Sequence, residues 1–165
     1  MFEVLAFVYE NYDAGDSWPE PAHLERKLNA VGFEADEIDD ALTWLTGLHA
    51  AARGSIGFAG TTQHKPPQPW LCEPQTSSVR IYPVFERNHL GRRCLGFIHF
   101  LESSGALSAS MREVVIERAL AAPGAPVSLN ALKLIVLMVY WSFGQQPEPL
   151  VLDELCYDGS GRVAH

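Results

Sequence analysis

The chain is poor in cysteine. Cys72, Cys94 and Cys156 are its only three, an odd count with no C-x-x-C. That pattern suggests neither a disulfide framework nor a zinc knuckle and fits reduced thiols in the cytosol. Long apolar runs are missing as well. The longest, residues 134–141, has eight members, whereas a membrane span needs about 18. The opening MFEVLAFVYENY carries Glu3 where a secretory signal would carry positive charge, and no small-residue cleavage site follows. A cytoplasmic protein with no membrane segment is expected. Basic residues are scarce at the start: residues 1–50 hold eleven acids against Arg26 and Lys27, whereas residues 51–165 balance to +1 within a total of −8. So acidic a face repels phosphate backbones and suits a basic partner or plain solubility.

Signatures of known chemistries are absent too. Gly54, Gly57 and Gly60 recur by threes, which makes neither a dinucleotide fingerprint nor a phosphate loop. No H-E-x-x-H, G-x-S-x-G or EF-hand loop occurs, and Asp158-Gly159-Ser160-Gly161 lacks the later acids of a calcium loop. None of the six histidines has a partner at i+3 or i+4. His64, His89 and Cys72 are too scattered for the close pairs of a metal site. No cofactor or metal is expected, and no catalytic residue can be named.

What is present reads as helix. With 165 residues, 47% apolar and 19% charged, the chain suits one domain. Periodicity at about 100° per residue predicts helices at 2–12, 21–31, 35–52, 83–89, 92–104, 111–121, 129–143 and 148–156. The expected fold is a mainly α bundle of about six to eight helices. Its centre would be the helix at 129–143, whose stretch 134–141 is apolar on all sides. Residues 1–157 would form a single domain, with a Gly/Pro-rich loop at 54–78 and a flexible tail at 158–165. Two short strands, 55–58 and 79–82, are expected to pair across that loop. Local signals agree with this layout. Gly32 and Phe33 read as a left-handed C-cap with its hydrophobic contact. Leu24, Leu28 and Val31 form the core face of the second helix. Ser110 and Glu113 have capping-box spacing, Ser128 caps the apolar helix, and Lys133 marks its wet end.

Three sets of side chains are candidates for function. Asp36, Glu37, Asp39 and Asp40 crowd the first turns of one helix, where the macrodipole favours acids, and form a candidate interaction surface. Arg87, Arg92 and Arg93, with His89, are the one basic cluster and a candidate anion contact. Arg118 falls on an apolar arc between Val114 and Val115, so it must be paired or must snorkel. A structural ion pair or carbonyl clamp is its expected role; binding an anionic ligand is the alternative. His49 should sit at the core edge and His99 on the surface. Phe7 and Trp70 fall off the predicted core.

The segments M-F-E-V-L, L-N-A-V-G-F-E-A-D-E-I-D-D-A-L-T-W-L, R-I-Y, G-F-I-H-F-L-E, R-E-V-V-I-E-R-A-L and L-K-L-I-V-L-M-V, in this order, resemble the bacterial Smg protein family. The resemblance spans nearly the whole chain apart from the Gly/Pro loop and the tail. It implies a cytosolic bacterial protein of a family without an assigned function, and it brings no catalytic residues. The first functional expectation is therefore a non-catalytic interaction or regulatory module with a protein partner. The alternative is a nucleic-acid-associated protein linked to DNA processing. Helix, Gly32-Phe33 turn, helix and hairpin is the order of a winged helix-turn-helix, although the acidic charge disfavours it.

Overall fold

The computed structural model describes residues 1–12, 20–60 and 80–156. It is mainly helical, with α1 (Phe2–Asn11), α2 (Pro21–Val31), α3 (Ala35–Gly60), α4 (Val84–Ser103), α5 (Ala109–Leu120), α6 (Leu129–Ser142) and α7 (Pro149–Cys156). Among the described residues there is no strand, and none of the helices is long and apolar enough to cross a membrane. The expected hairpin is not formed. Residues 55–58 continue α3, and the backbone from Arg80 to Pro83 is irregular. Once an amphipathic helix is nucleated, each further residue adds a hydrogen bond, and single glycines at about 1 kcal/mol each do not stop it. The remainder of the expected loop (61–78, with His64, Trp70 and Cys72), Val79 and the tail at 158–165 lie outside the described residues.

Backbone chemistry places most of the boundaries. Pro21 opens α2, where its missing N–H costs nothing. Gly32 closes it at φ 105°, donating to the carbonyls of Leu28 and Asn29. Phe33 donates to Leu28 O at 3.3 Å and meets Phe7 edge-on at 5.8 Å. Phe7 thus contacts a second layer. Val31, expected in the core, is 54% exposed; the chain turns just after it at Gly32, and Phe33 packs against the core. The two helices expected at 83–89 and 92–104 are joined as α4 across a kink at Gly91, whose φ of 70° and ψ of 169° are not helical. Ser108, not Ser110, caps α5. Its extended backbone lets Oγ accept from Met111 N at 3.3 Å, while Ser110, already inside the helix, bonds to Ser108 Oγ. Ser128 caps α6 as expected, accepting from Ala131 N at 3.1 Å.

Residues 135–141 of α6 are all buried, and the helix touches α1, α3, α4, α5 and α7. Its polar tips are bonded. Trp141 Nε1 donates to Tyr12 O at 2.9 Å, and the Tyr140 hydroxyl donates to Ala106 O. Lys133 is not a wet end. It is 6% exposed, and its Nζ donates to Glu154 O and, at 3.2 Å, to Glu154 Oε1. A buried ammonium needs such acceptors, and the last turn of α7 supplies them. Cys94 is likewise buried; its thiol donates to Val127 O at 3.3 Å, and burial raises its pKa, so it is no ready nucleophile.

Arg118 joins α5 to α3. Its Nη1 reaches Trp44 O at 3.4 Å and its Nη2 pairs with Glu117 at 2.7 Å. Trp44 is buried and donates Nε1 to Arg118 O at 2.9 Å. The guanidinium fits because Gly47 has no side chain: a Cβ there would lie 2.0 Å from Nη1. A double-mutant cycle tests this. Gly47→Ala should stabilise an Arg118→Ala background by about 1 kcal/mol through helix propensity. In wild type the same change should be destabilising because it expels the guanidinium. Urea unfolding of the four proteins should give a coupling of at least about 1 kcal/mol; additive effects would refute the lock.

Candidate interaction surfaces

The densest polar constellation lies where the irregular segment Arg80–Pro83 enters α4. Arg80 Nη1 and Nη2 donate to Glu86 at 2.6 and 3.2 Å, while Nε and Nη2 donate to Glu113 on α5 at 2.8 and 2.9 Å. Arg112 joins the same Glu113 at 2.9 Å and reaches across to Glu102 near the end of α4. The Arg80 guanidinium also stacks 4.5 Å above the Tyr82 ring. Glu86 is almost fully buried, so its charge requires the fork that Arg80 provides. Burial by itself raises the Glu113 pKa, but bonds from Arg80 and Arg112 outweigh it and hold the carboxyl below its ordinary value. The bond to Glu86, then that to Glu113, hold the Arg80 guanidinium firmly protonated. Burial raises the Tyr82 pKa, against the pull of both arginines.

This network fixes a mount whose outer side is apolar. Ile81 is 87% exposed, and Val84 and Phe85 are each 62% exposed. Three large apolar side chains within five residues therefore face water beside an ion-paired base. Nothing local announced this. Arg80 and Glu113 are 33 positions apart, and a single arginine before a tyrosine carries no pattern. The segments R-I-Y and R-E-V-V-I-E-R-A-L meet here: Arg80 and Tyr82 from one, Arg112 and Glu113 from the other.

The candidates from sequence are placed as follows. Arg87 lies before the kink and Arg92 and Arg93 after it, all three exposed, and none of them pairs with another described residue. His89 leaves the cluster. It turns inward, with Nε2 3.1 Å from Ala119 O, and its carbonyl accepts from Val127 N at 2.8 Å. Asp36, Asp39 and Asp40 are exposed at the start of α3. Glu37 is not part of a free acidic surface, since it holds the Met1 ammonium at 3.2 Å.

A second concavity of about 530 Å³ opens at the far end of α4. Phe100, Ala106, Pro147 and Leu150 give it apolar walls, and Glu148 and Glu154 stand on its rim. Tyr140 closes its floor, with a pKa raised chiefly by burial.

The family model described as a protein of unknown function (DUF494) matches residues 1–165. The chain is similar to the protein Smg homolog of Methylibium petroleiphilum, at 46% identity, and to that of Leptothrix cholodnii, at 47%. It is 44% identical to the protein Smg homolog of Bordetella petrii. All of this chain and all of each relative is covered. No solved structure matches it. With its whole length aligned to both the model and the relatives, the chain belongs to the Smg family.

Proposed function

We propose that this chain is a helical protein-interaction module, not a catalyst, which docks through the apolar knuckle of Ile81, Val84 and Phe85. The observation that supports this reading is the exposure of those side chains directly above the Arg80 network. Burying a large apolar side chain gains about 1.5–3 kcal/mol. A base already locked in place avoids the ordering cost that a mobile loop would bring. The exposed Arg87, Arg92 and Arg93 on the same helix name the partner's chemistry: an apolar pocket rimmed by aspartate or glutamate. The network itself is poorly suited to proton transfer. Its Glu113 is held ionised below the ordinary carboxylate range, whereas acid–base work calls for a pKa near neutrality. Nucleic acid is not the partner proposed, because the continuation of α3 removes the expected wing and the start of that helix presents carboxylates to any phosphate.

Photo-crosslinking from residue 85, followed by binding of the purified crosslinked protein, tests the reading. Phe85→Ser should weaken that binding at least about tenfold and move the melting temperature by no more than about 2 °C, since the ring is mostly in water. Arg87→Glu should weaken it in the same direction. Reversal of Asp36, Asp39 and Asp40 should leave it unchanged; Glu37 is spared because it holds the terminal ammonium. Equal binding by wild type and Phe85→Ser would refute the knuckle, and loss on the triple reversal would move the site to α3.

The mount has a pH signature. A lowered folded-state pKa for Glu113 means that its contribution is present above its unfolded value and disappears as pH falls through the folded one. The stability gap between wild type and Glu113→Gln should therefore be constant near neutrality and shrink below about pH 4. A gap independent of pH between 7 and 2 would show that the pairing contributes nothing.

A further inference from the structure

We infer that the concavity between the end of α4 and α7 is a second docking site, and that its occupant is a protein segment carrying arginine or lysine beside an apolar anchor. The site is distinct from the knuckle and does not depend on it. Its apolar half is open: Phe100 is 55% and Leu150 84% exposed. The Phe100 ring is braced by Phe97, with centroids 6.4 Å apart, and the Lys133 ammonium sits 5.6 Å from the other ring. A braced aromatic facing a lone leucine across about 530 Å³ suits one or two apolar side chains.

The charge around it has one sign. Both α4 and α6 end at this concavity, and neither has a basic residue in its last turn. Most carbonyls of both last turns accept bonds from the residues that follow, so each end presents the residual negative pole of its macrodipole with no cationic side chain against it. Glu148 and Glu154 add carboxylates, and among the described residues no lysine, arginine or histidine lines the site. The basic groups nearby are already committed, Arg112 to Glu102 and Glu113 and Lys133 to Glu154. A cation brought by the ligand would meet the negative helix ends and the exposed Glu148, beside a Glu154 already shared with Lys133, while its apolar neighbour fills the gap between Phe100 and Leu150. An all-basic ligand would leave that gap empty, and an acidic one would be repelled.

Selection from a random heptapeptide display library on the full chain, counter-selected on Leu150→Ser/Glu148→Lys, tests this. The expected result is enrichment of sequences with arginine or lysine next to leucine, isoleucine, methionine or phenylalanine. A synthetic peptide of the selected sequence should bind the double variant at least about tenfold more weakly, while Phe85→Ser leaves it unaffected. Enrichment of acidic or uncharged sequences, or none above the double variant, would overturn the inference. So would spermidine competing as well as the peptide, which would make the ligand a small cation. The chain's own Arg162-Val163 is the remaining occupant to separate. Tighter peptide binding by at least about fivefold in Arg162→Glu would make the occupant intramolecular and end the proposal of a partner.

Discussion

Seven consecutive residues of α6, from position 135 to 141, are shut away from water. No helix buries its whole circumference against a single neighbour, so this stretch requires several partners, each bringing an apolar stripe. Ile38, Ala41, Leu45 and Leu48 supply one from α3, Val4, Leu5 and Val8 one from α1, and Met111, Val114 and Val115 one from α5. The requirement also reaches polar atoms. An indole or phenol buried on such a helix needs an acceptor, and Trp141 and Tyr140 take theirs from the backbone at Tyr12 and Ala106. The end of α1 and the turn after α4 are thereby tied to the same helix by hydrogen bonds as well as by packing.

Charges inside the bundle follow the same economy of partners. Glu86, Lys133 and Arg118 are each withdrawn from solvent or nearly so, and each is met by groups from another element or from its own turn. Only Arg118 leaves an atom over: Nε has no hydrogen-bond partner among the described residues. An unmet buried N–H costs about 1–3 kcal/mol. The arrangement persists because Gly47 gives the guanidinium a seat no other residue type would leave, which ties the identity of a helix glycine to that of an arginine far along the chain.

Helix identity was legible because it rests on local spacing, and so were the Gly32 turn, the Ser128 cap and the awkward position of Arg118. Errors arose where neighbouring signals were ambiguous or where distant residues decide. Ser108 and Ser110 both offer a hydroxyl near the start of α5, and only the extended backbone at Ser108 selects between them. The glycines at 54, 57 and 60 read as loop punctuation, yet an established helix runs through them. Lys133 read as a solvent marker because the acceptor that buries it, Glu154, belongs to a different helix. The Arg80 network was invisible for the same reason, since Glu86, Glu102 and Glu113 are each unremarkable until the fold brings them to the two arginines.

The two ends of α4 therefore differ in kind. At its start, Glu86 is drawn inward to hold Arg80, leaving apolar groups and the exposed arginines outside. At its end, Arg112 and Lys133 are drawn inward, leaving apolar groups and acids outside. Phe85 and Phe100 lie on opposite sides of the kink at Gly91. In each place internal pairing removes one sign of charge from the surface and exposes the other beside unburied apolar side chains. A net charge of −8 by itself would predict only repulsion from acidic partners. The inward pairing leaves exposed arginines at one end of α4 and exposed acids near the other, a local pattern that the net charge does not show.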